Sequence, residues 1–144
     1  MSLLYTHRVE VRFADCDPLG HVNHALYLTY LEQARFGLWA KLWGFTGETA
    51  MTAAGGAGLI LARAECDYKV PATYGDTLDV RITLAGIGRT SFTYEYEIVD
   101  VKTSRVMATA RTVLVLYDYS AAAPVAIDEA RRAQLTRVFA TAGD

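Results

Sequence analysis

No stretch of this sequence approaches the roughly 20 consecutive apolar residues that a membrane span requires, so a membrane-embedded function is set aside. The opening MSLLYTHRVE has no basic start followed by an apolar run, and the expectation is a soluble, cytoplasmic protein. An excess of one charge is missing as well: 14 Lys and Arg face 16 Asp and Glu, for a formal net charge of −2. That balance gives no electrostatic footprint for DNA, RNA or an anionic surface, so any anionic ligand has to be held by local groups. Cysteine is scarce. Cys16 and Cys66 form no C-x-x-C pair and read as free thiols in a reducing compartment. Internal repeats and low-complexity tracts are absent.

What is present is apolar and periodic. A composition that is 52% hydrophobic and 21% charged is that of a globular chain, and 144 residues suit one domain, 1–144, with room for a sizeable core. From Tyr5 to Phe13 the residues alternate, with Tyr5, His7, Val9, Val11 and Phe13 on the side expected to be buried. Ala25 to Trp43 places Tyr27, Leu31, Ala34, Leu38 and Leu42 at helical spacing, widened by Leu28, Tyr30 and Trp39, and leaves Thr29, Glu32, Gln33 and Arg35 as a narrow wet face. Asn23 is a good N-cap and Gly44 a good stop, which gives a helix of about 20 residues. Gly37 inside it costs about 1 kcal/mol against Ala and predicts close packing against a neighbour.

A Gly-, Ala- and Thr-rich segment, Thr46 to Gly58, reads as a loop or short irregular helix. Four alternating runs follow, beginning near Ala62, Leu78, Phe92 and Val106 and separated by turn residues. Ala121-Ala122-Ala123-Pro124 then links to a short helix, about Asp128 to Phe139. Strand, long helix, four strands and short helix predict an α+β fold: an antiparallel β-sheet wrapped around one long central α-helix.

Chemistry concentrates at the strand-to-helix junction, RFADCDPLGHVNHALYLTYLEQARF. Pro18 and Gly20 build a tight turn able to aim Asp17 back toward the helix start, where unpaired N–H groups carry partial positive charge. Amides that polarise a carbonyl beside a carboxylate that attacks or activates water make a workable site for acyl transfer. Asp17 can equally bond its own loop amides. Asp15 reads as structural, holding the turn or pairing with an Arg. Cys16, Asp17, His21 and His24 are acceptable ligand types, but their spacing is not that of a metal motif, and no metal is expected. Cys16 beside aspartates is a poor thiolate.

The order DCDPLGHVN running into ALYLTYLEQAR, followed by YKVPATYGDTL, GRTSFTYEYEI and ARTVLVLYD, resembles the hotdog-fold acyl-CoA thioesterases of the 4-hydroxybenzoyl-CoA thioesterase family. The resemblance covers nearly the whole chain. It implies hydrolysis of an acyl-CoA thioester, with Asp17 as the catalytic carboxylate and a helix-start amide near His24 holding the thioester oxygen. It further implies coenzyme A contacts at Arg89, Thr90 and Ser91, with Lys69 a weaker candidate, no cofactor beyond the coenzyme A of the substrate, and a homo-oligomer, dimer or homotetramer, with sites at the subunit interface. The GHVN form is also similar to acyl-carrier-protein thioesterases, in which a His at the place of His21 is implicated in catalysis; those enzymes usually carry Asn where this chain has Leu19. The rival reading is a non-catalytic acyl-CoA or acyl-carrier-protein binding module using the same cleft.

Overall fold

A computed structural model describes residues 3–44 and 58–139. The first strand, β1 (Leu3–Glu10), leads through a single 3-10 turn (Phe13–Asp15) to α1 (His24–Trp43). Strands β2 (Gly58–Tyr68), β3 (Thr77–Ile87), β4 (Ser91–Asp100) and β5 (Val106–Asp118) follow, then the two-residue β6 (Ala123–Pro124) and α2 (Glu129–Leu135). The six strands form one antiparallel sheet in the order β1-β3-β4-β5-β2, with β6 paired to the end of β5. This is the expected α+β architecture, with β6 added where a linker was expected and α2 shorter than the expected Asp128 to Phe139.

Helix α1 begins and ends where its capping residues require. Asn23 sits outside the helical conformation and its side-chain oxygen accepts from the Ala25 amide at 3.0 Å, satisfying one of the first-turn donors. At the other end Gly44 adopts the left-handed conformation (φ 68°) and donates its N–H to the Ala40 carbonyl. Between the caps, Leu31, Ala34 and Leu38 are fully buried against Leu78, Val80 and Ile82 of β3 and Tyr94 and Ile98 of β4, which occupy alternate positions on one sheet face. A Cβ added at Gly37 would lie 2.7 Å from the Tyr5 hydroxyl, so the absence of a side chain lets α1 approach β1 as the sequence predicts.

Two expectations need correction. Phe13 is not the last inward residue of a strand: β1 stops at Glu10, and Phe13, at 79% exposure, leads the 3-10 turn and meets Tyr74 edge-to-face. Arg35 is not on a wet face; it is buried, 5% exposed, on the apolar stripe between Leu31 and Trp39. In the alternating run that forms β2, Ala62 and Ala64 are exposed, because β2 is the last strand of the sheet and α1 covers the β1 and β3 side. The second edge of β2 pairs with no strand among the described residues. Of the expected loop from Thr46 to Gly58, Gly58 opens β2 and 46–57 lie outside the described residues.

Candidate active site

The junction is folded by backbone bonds that follow from its turn residues. Cys16 and Val22 bridge in antiparallel fashion, Gly20 takes a positive φ of 84°, and the Asn23 amide donates to the Asp15 carbonyl at 2.9 Å, so the chain doubles back onto the start of α1. Asp15 is 1% exposed and anchors the turn. Its carboxylate accepts from the Arg12 amide (3.0 Å), the Arg12 guanidinium (2.7 Å) and the Tyr30 hydroxyl (2.8 Å). Burial alone would raise this carboxyl, but the Arg12 and Tyr30 bonds outweigh it and hold the group below the usual carboxylate range. The Tyr30 hydroxyl, buried and beside that carboxylate, is pushed well above its ordinary value.

Asp17, half-buried, splits its carboxylate between two duties. Oδ1 accepts from the Leu19 amide at 2.9 Å and, at a longer 3.4 Å, from the His21 amide; the backbone closes the same turn from the Asp17 N–H to the His21 carbonyl at 2.8 Å. Oδ2 receives no hydrogen bond among the described residues. Nearby, the first turn of α1 has one open donor. Asn23 takes the Ala25 amide with its side chain and the Leu26 amide with its carbonyl, while the His24 N–H finds no acceptor among the described residues.

Tyr68, the last residue of β2, went unnoticed as a site residue in the sequence. Its hydroxyl donates to the His24 carbonyl at 3.0 Å, and its ring meets those of His24 and Tyr27 edge-on, so the end of β2 clamps the start of α1. A Tyr at the end of an alternating run, just before the Lys69-to-Pro71 break, was the available signal. The His21 backbone is held on both sides, by Asp17 and by a bridge to Thr73, while its imidazole is exposed and makes no hydrogen bond among the described residues. The side chain of His24 is likewise exposed.

The remaining predicted contacts divide between two ends of the sheet. Lys69 follows Tyr68 at the junction end, its N–H donating to the Met107 carbonyl. Arg89, Thr90 and Ser91 lie in and after the β3–β4 turn, at the opposite end, where the Arg89 and Thr90 carbonyls accept from Ile127 and Leu116. The full length of β3 separates them from Thr77, which borders the junction, so one chain does not bring Arg89 to Asp17; eleven residues of strand span roughly 35 Å. A cleft of about 520 Å³ on the outer sheet face, lined in part by Glu65, Asp67, Glu95 and Arg111, holds none of the junction residues. Among the described residues no three His, Cys, Asp or Glu side chains converge as a metal site, and no helix is long and apolar enough to cross a membrane.

With this geometry established, comparison with known proteins is decisive at one level. The family model of the Thioesterase-like superfamily matches residues 11–135, from before the junction through α2. The chain belongs to the Thioesterase-like superfamily. A candidate esterase of Aquifex aeolicus (strain VF5) is 33% identical to it over 96 residues, 67% of this chain and 71% of that protein. PA2801 of Pseudomonas aeruginosa, a candidate thioesterase, superposes on this superfamily member with a TM-score of 0.82 at 25% identity, covering 94% of this chain and 100% of its own. Slr0204 of Synechocystis, a 1,4-dihydroxy-2-naphthoyl-CoA thioesterase, gives a TM-score of 0.77 at 23% identity over 90% of this chain and 93% of its own, a likeness of fold. In this thioesterase-like chain the architecture shared with these structures frames the junction, and the narrower resemblance to the 4-hydroxybenzoyl-CoA thioesterases bears on the proposal below.

Proposed function

We propose that this chain hydrolyses an acyl-CoA thioester to a free carboxylic acid and coenzyme A. The observation that carries the reading is the pairing of an unengaged carboxylate oxygen, Asp17 Oδ2, with an open helix-start amide, His24 N–H, on a turn folded back against that helix. In the reaction Asp17 takes a proton from water as the hydroxyl adds to the thioester carbonyl carbon. The developing oxyanion is met by the His24 N–H and the positive end of α1. Collapse of the tetrahedral species breaks the C–S bond, and the thiolate leaves with the proton. Direct attack by Asp17, forming an acyl anhydride that water then opens, uses the same atoms. His21 holds the turn through its backbone rather than moving a proton.

The coenzyme is assigned to Arg89, Thr90 and Ser91 of a second copy. Two copies joined edge to edge along β2 in a two-fold arrangement run antiparallel, which carries the Arg89 end of one beside the Asp17 end of the other. Lys69 at the junction end adds a local cation. The same pairing covers the exposed Leu61 and Tyr68, and a dimer or a tetramer built from it is the expected assembly. No metal or redox cofactor is assigned, and the protein is placed in the cytoplasm.

A non-catalytic acyl-CoA or acyl-carrier-protein binding module is the second reading, favoured by one observation: Asp17 Oδ1 does the ordinary work of a turn carboxylate. The deciding experiment is thiol release from a panel of acyl-CoA compounds by wild type and Asp17→Asn. Turnover that falls by several powers of ten, with the fold intact by circular dichroism, supports hydrolysis by Asp17. Near wild-type turnover in the variant removes Asp17 from the chemistry, and absence of thiol release in both favours the binding module.

A further inference from the structure

Arg35 is buried in a place where a guanidinium has no counter-charge. It is 5% exposed and forms no ion pair with any described residue; Glu32, one turn earlier on α1, is exposed and does not reach it. Its protein contacts are neutral: Nη1 donates to the Tyr96 hydroxyl at 3.3 Å, and the guanidinium lies 6.0 Å from the centroid of the Trp39 ring. The Tyr96 hydroxyl is in turn bonded to Thr112, and the Trp39 indole donates to the Tyr94 hydroxyl at 3.1 Å. A buried cation costs folding free energy unless it is paired, and a guanidinium offers five donors of which this network takes one.

Through Tyr96 and Thr112 the Arg35 network leads toward β2, and we infer that its open side faces a groove between α1 and β2. Thr112 pairs across the sheet with Ala64 of β2, and along β2 from the junction the groove floor is Cys66, partly buried against the core, and then the exposed Ala64. Half-exposed Leu28 and Phe36 of α1 form its other wall. The groove therefore starts at the His24 amide and Tyr68 and passes Arg35. Eleven residues of helix, roughly 16 Å of rise, separate His24 from Arg35, and an arginine leaning toward the helix N-terminus shortens the span to about 10 Å. Such a span admits a chain of roughly six carbons or one aromatic ring, and excludes a long fatty tail.

We propose that Arg35, backed by Tyr96 and Thr112, is the far wall of the acyl site and selects short acyl groups that end in a carboxylate. The inference rests on the thioesterase reading for the site's location and adds the substrate class. A carboxylate tip matches the planar donor fork in a way that an alkyl tip cannot, and neutralises the buried charge.

The test pairs adipyl-CoA with hexanoyl-CoA, which differ only at the tip. Wild type should favour adipyl-CoA by at least about tenfold in kcat/KM, and Arg35→Met should reverse the preference. Binding measured by calorimetry with Asp17→Asn protein, with and without Arg35→Met, separates the two claims. If neither thioester is hydrolysed by wild type but the adipyl preference in Kd persists and depends on Arg35, the hydrolysis reading fails and the present one stands. Equal affinities, a preference for hexanoyl-CoA, or no binding of either compound overturns it. So does an adipyl preference unchanged by Arg35→Met, including the case where that variant instead weakens subunit association because a second copy supplies the counter-charge. Should Arg35→Met not fold, Arg35→Lys, which keeps the charge but loses the fork, should reduce the adipyl preference severalfold, and an undiminished preference refutes the role.

Discussion

Replacing Asp15 by alanine should cost about 3 kcal/mol of stability, and the figure can be assembled from its contacts. The Tyr30 hydroxyl, in a residue only 2% exposed, loses the acceptor it holds at 2.8 Å, and an orphaned buried donor costs about 1–3 kcal/mol. The Arg12 amide loses the acceptor that caps the 3-10 turn, worth about 1 kcal/mol. The Arg12–Asp15 ion pair adds little, because the arginine is 69% exposed and its charge is screened. Urea unfolding followed by fluorescence of Trp39 and Trp43, both on α1, reads the loss at fixed protein concentration. Adding Tyr30→Phe removes the orphaned hydroxyl, so the double variant should be about 1–2 kcal/mol more stable than the sum of the single losses predicts. Acid gives an independent check. The Asp15 carboxyl lies below its ordinary value of 3.8 when folded, so its contribution is present above that value and is lost as pH falls through the folded value. The gap between wild type and Asp15→Ala should therefore close in that acid window. A loss below about 0.5 kcal/mol at neutral pH, or strict additivity with Tyr30→Phe, refutes the anchoring role assigned to Asp15.

Arg89→Ala should raise KM for coenzyme A thioesters with little change in kcat, since a phosphate contact remote from the reacting carbon binds ground and transition states alike. Assayed at substrate well below the raised KM, where both parents are nearly silent, a mixture of Arg89→Ala and Asp17→Asn subunits should give about a quarter of wild-type activity, because half the random dimers are mixed and each of these has one intact site; no recovery would show that both residues serve the site from one chain. His21→Gln should preserve kcat/KM and its pH profile, as the His21 contribution is through the backbone; loss of a near-neutral ionisation together with a large fall in rate would make the imidazole a proton carrier. Gly44→Ala should cost about 1 kcal/mol by thermal or urea unfolding, because an alanine is strained at φ 68°; a neutral result would place the helix stop elsewhere.

Periodicity made α1 legible in the sequence because the helix is long, capped at both ends and striped with apolar residues that face one sheet. The strands were legible for the same reason, through alternation. Burial of β2 was not, since alternation reports which side residues take but not whether any element covers that side. Arg35 was misread because residue type was allowed to outweigh position: four residues from both Leu31 and Trp39, it sits on the buried stripe, where the contacts a cation finds are the Tyr96 hydroxyl, itself bonded to Thr112, and the Trp39 ring. At the junction the sequence pointed to the right turn and to the correct N-cap. The split duty of Asp17 and the clamp by Tyr68 depend on bonds between segments far apart in the chain, which no local pattern encodes.

The strand order also bears on how the chain comes to be folded during synthesis. Hairpins β3–β4 and β4–β5 join neighbours in sequence, whereas β1 must find β3 across some seventy residues and β2 must find β5 past two intervening strands. On a ribosome the junction and α1 emerge early and have no sheet to lie on until β3 exists. Tyr68 cannot clamp His24 in register until β5 has been made and has captured β2. The first-translated part of the protein thus waits for the last, with the apolar face of α1 unprotected meanwhile, and a chain truncated within β5 would carry the whole junction sequence yet lack the support that sets its geometry.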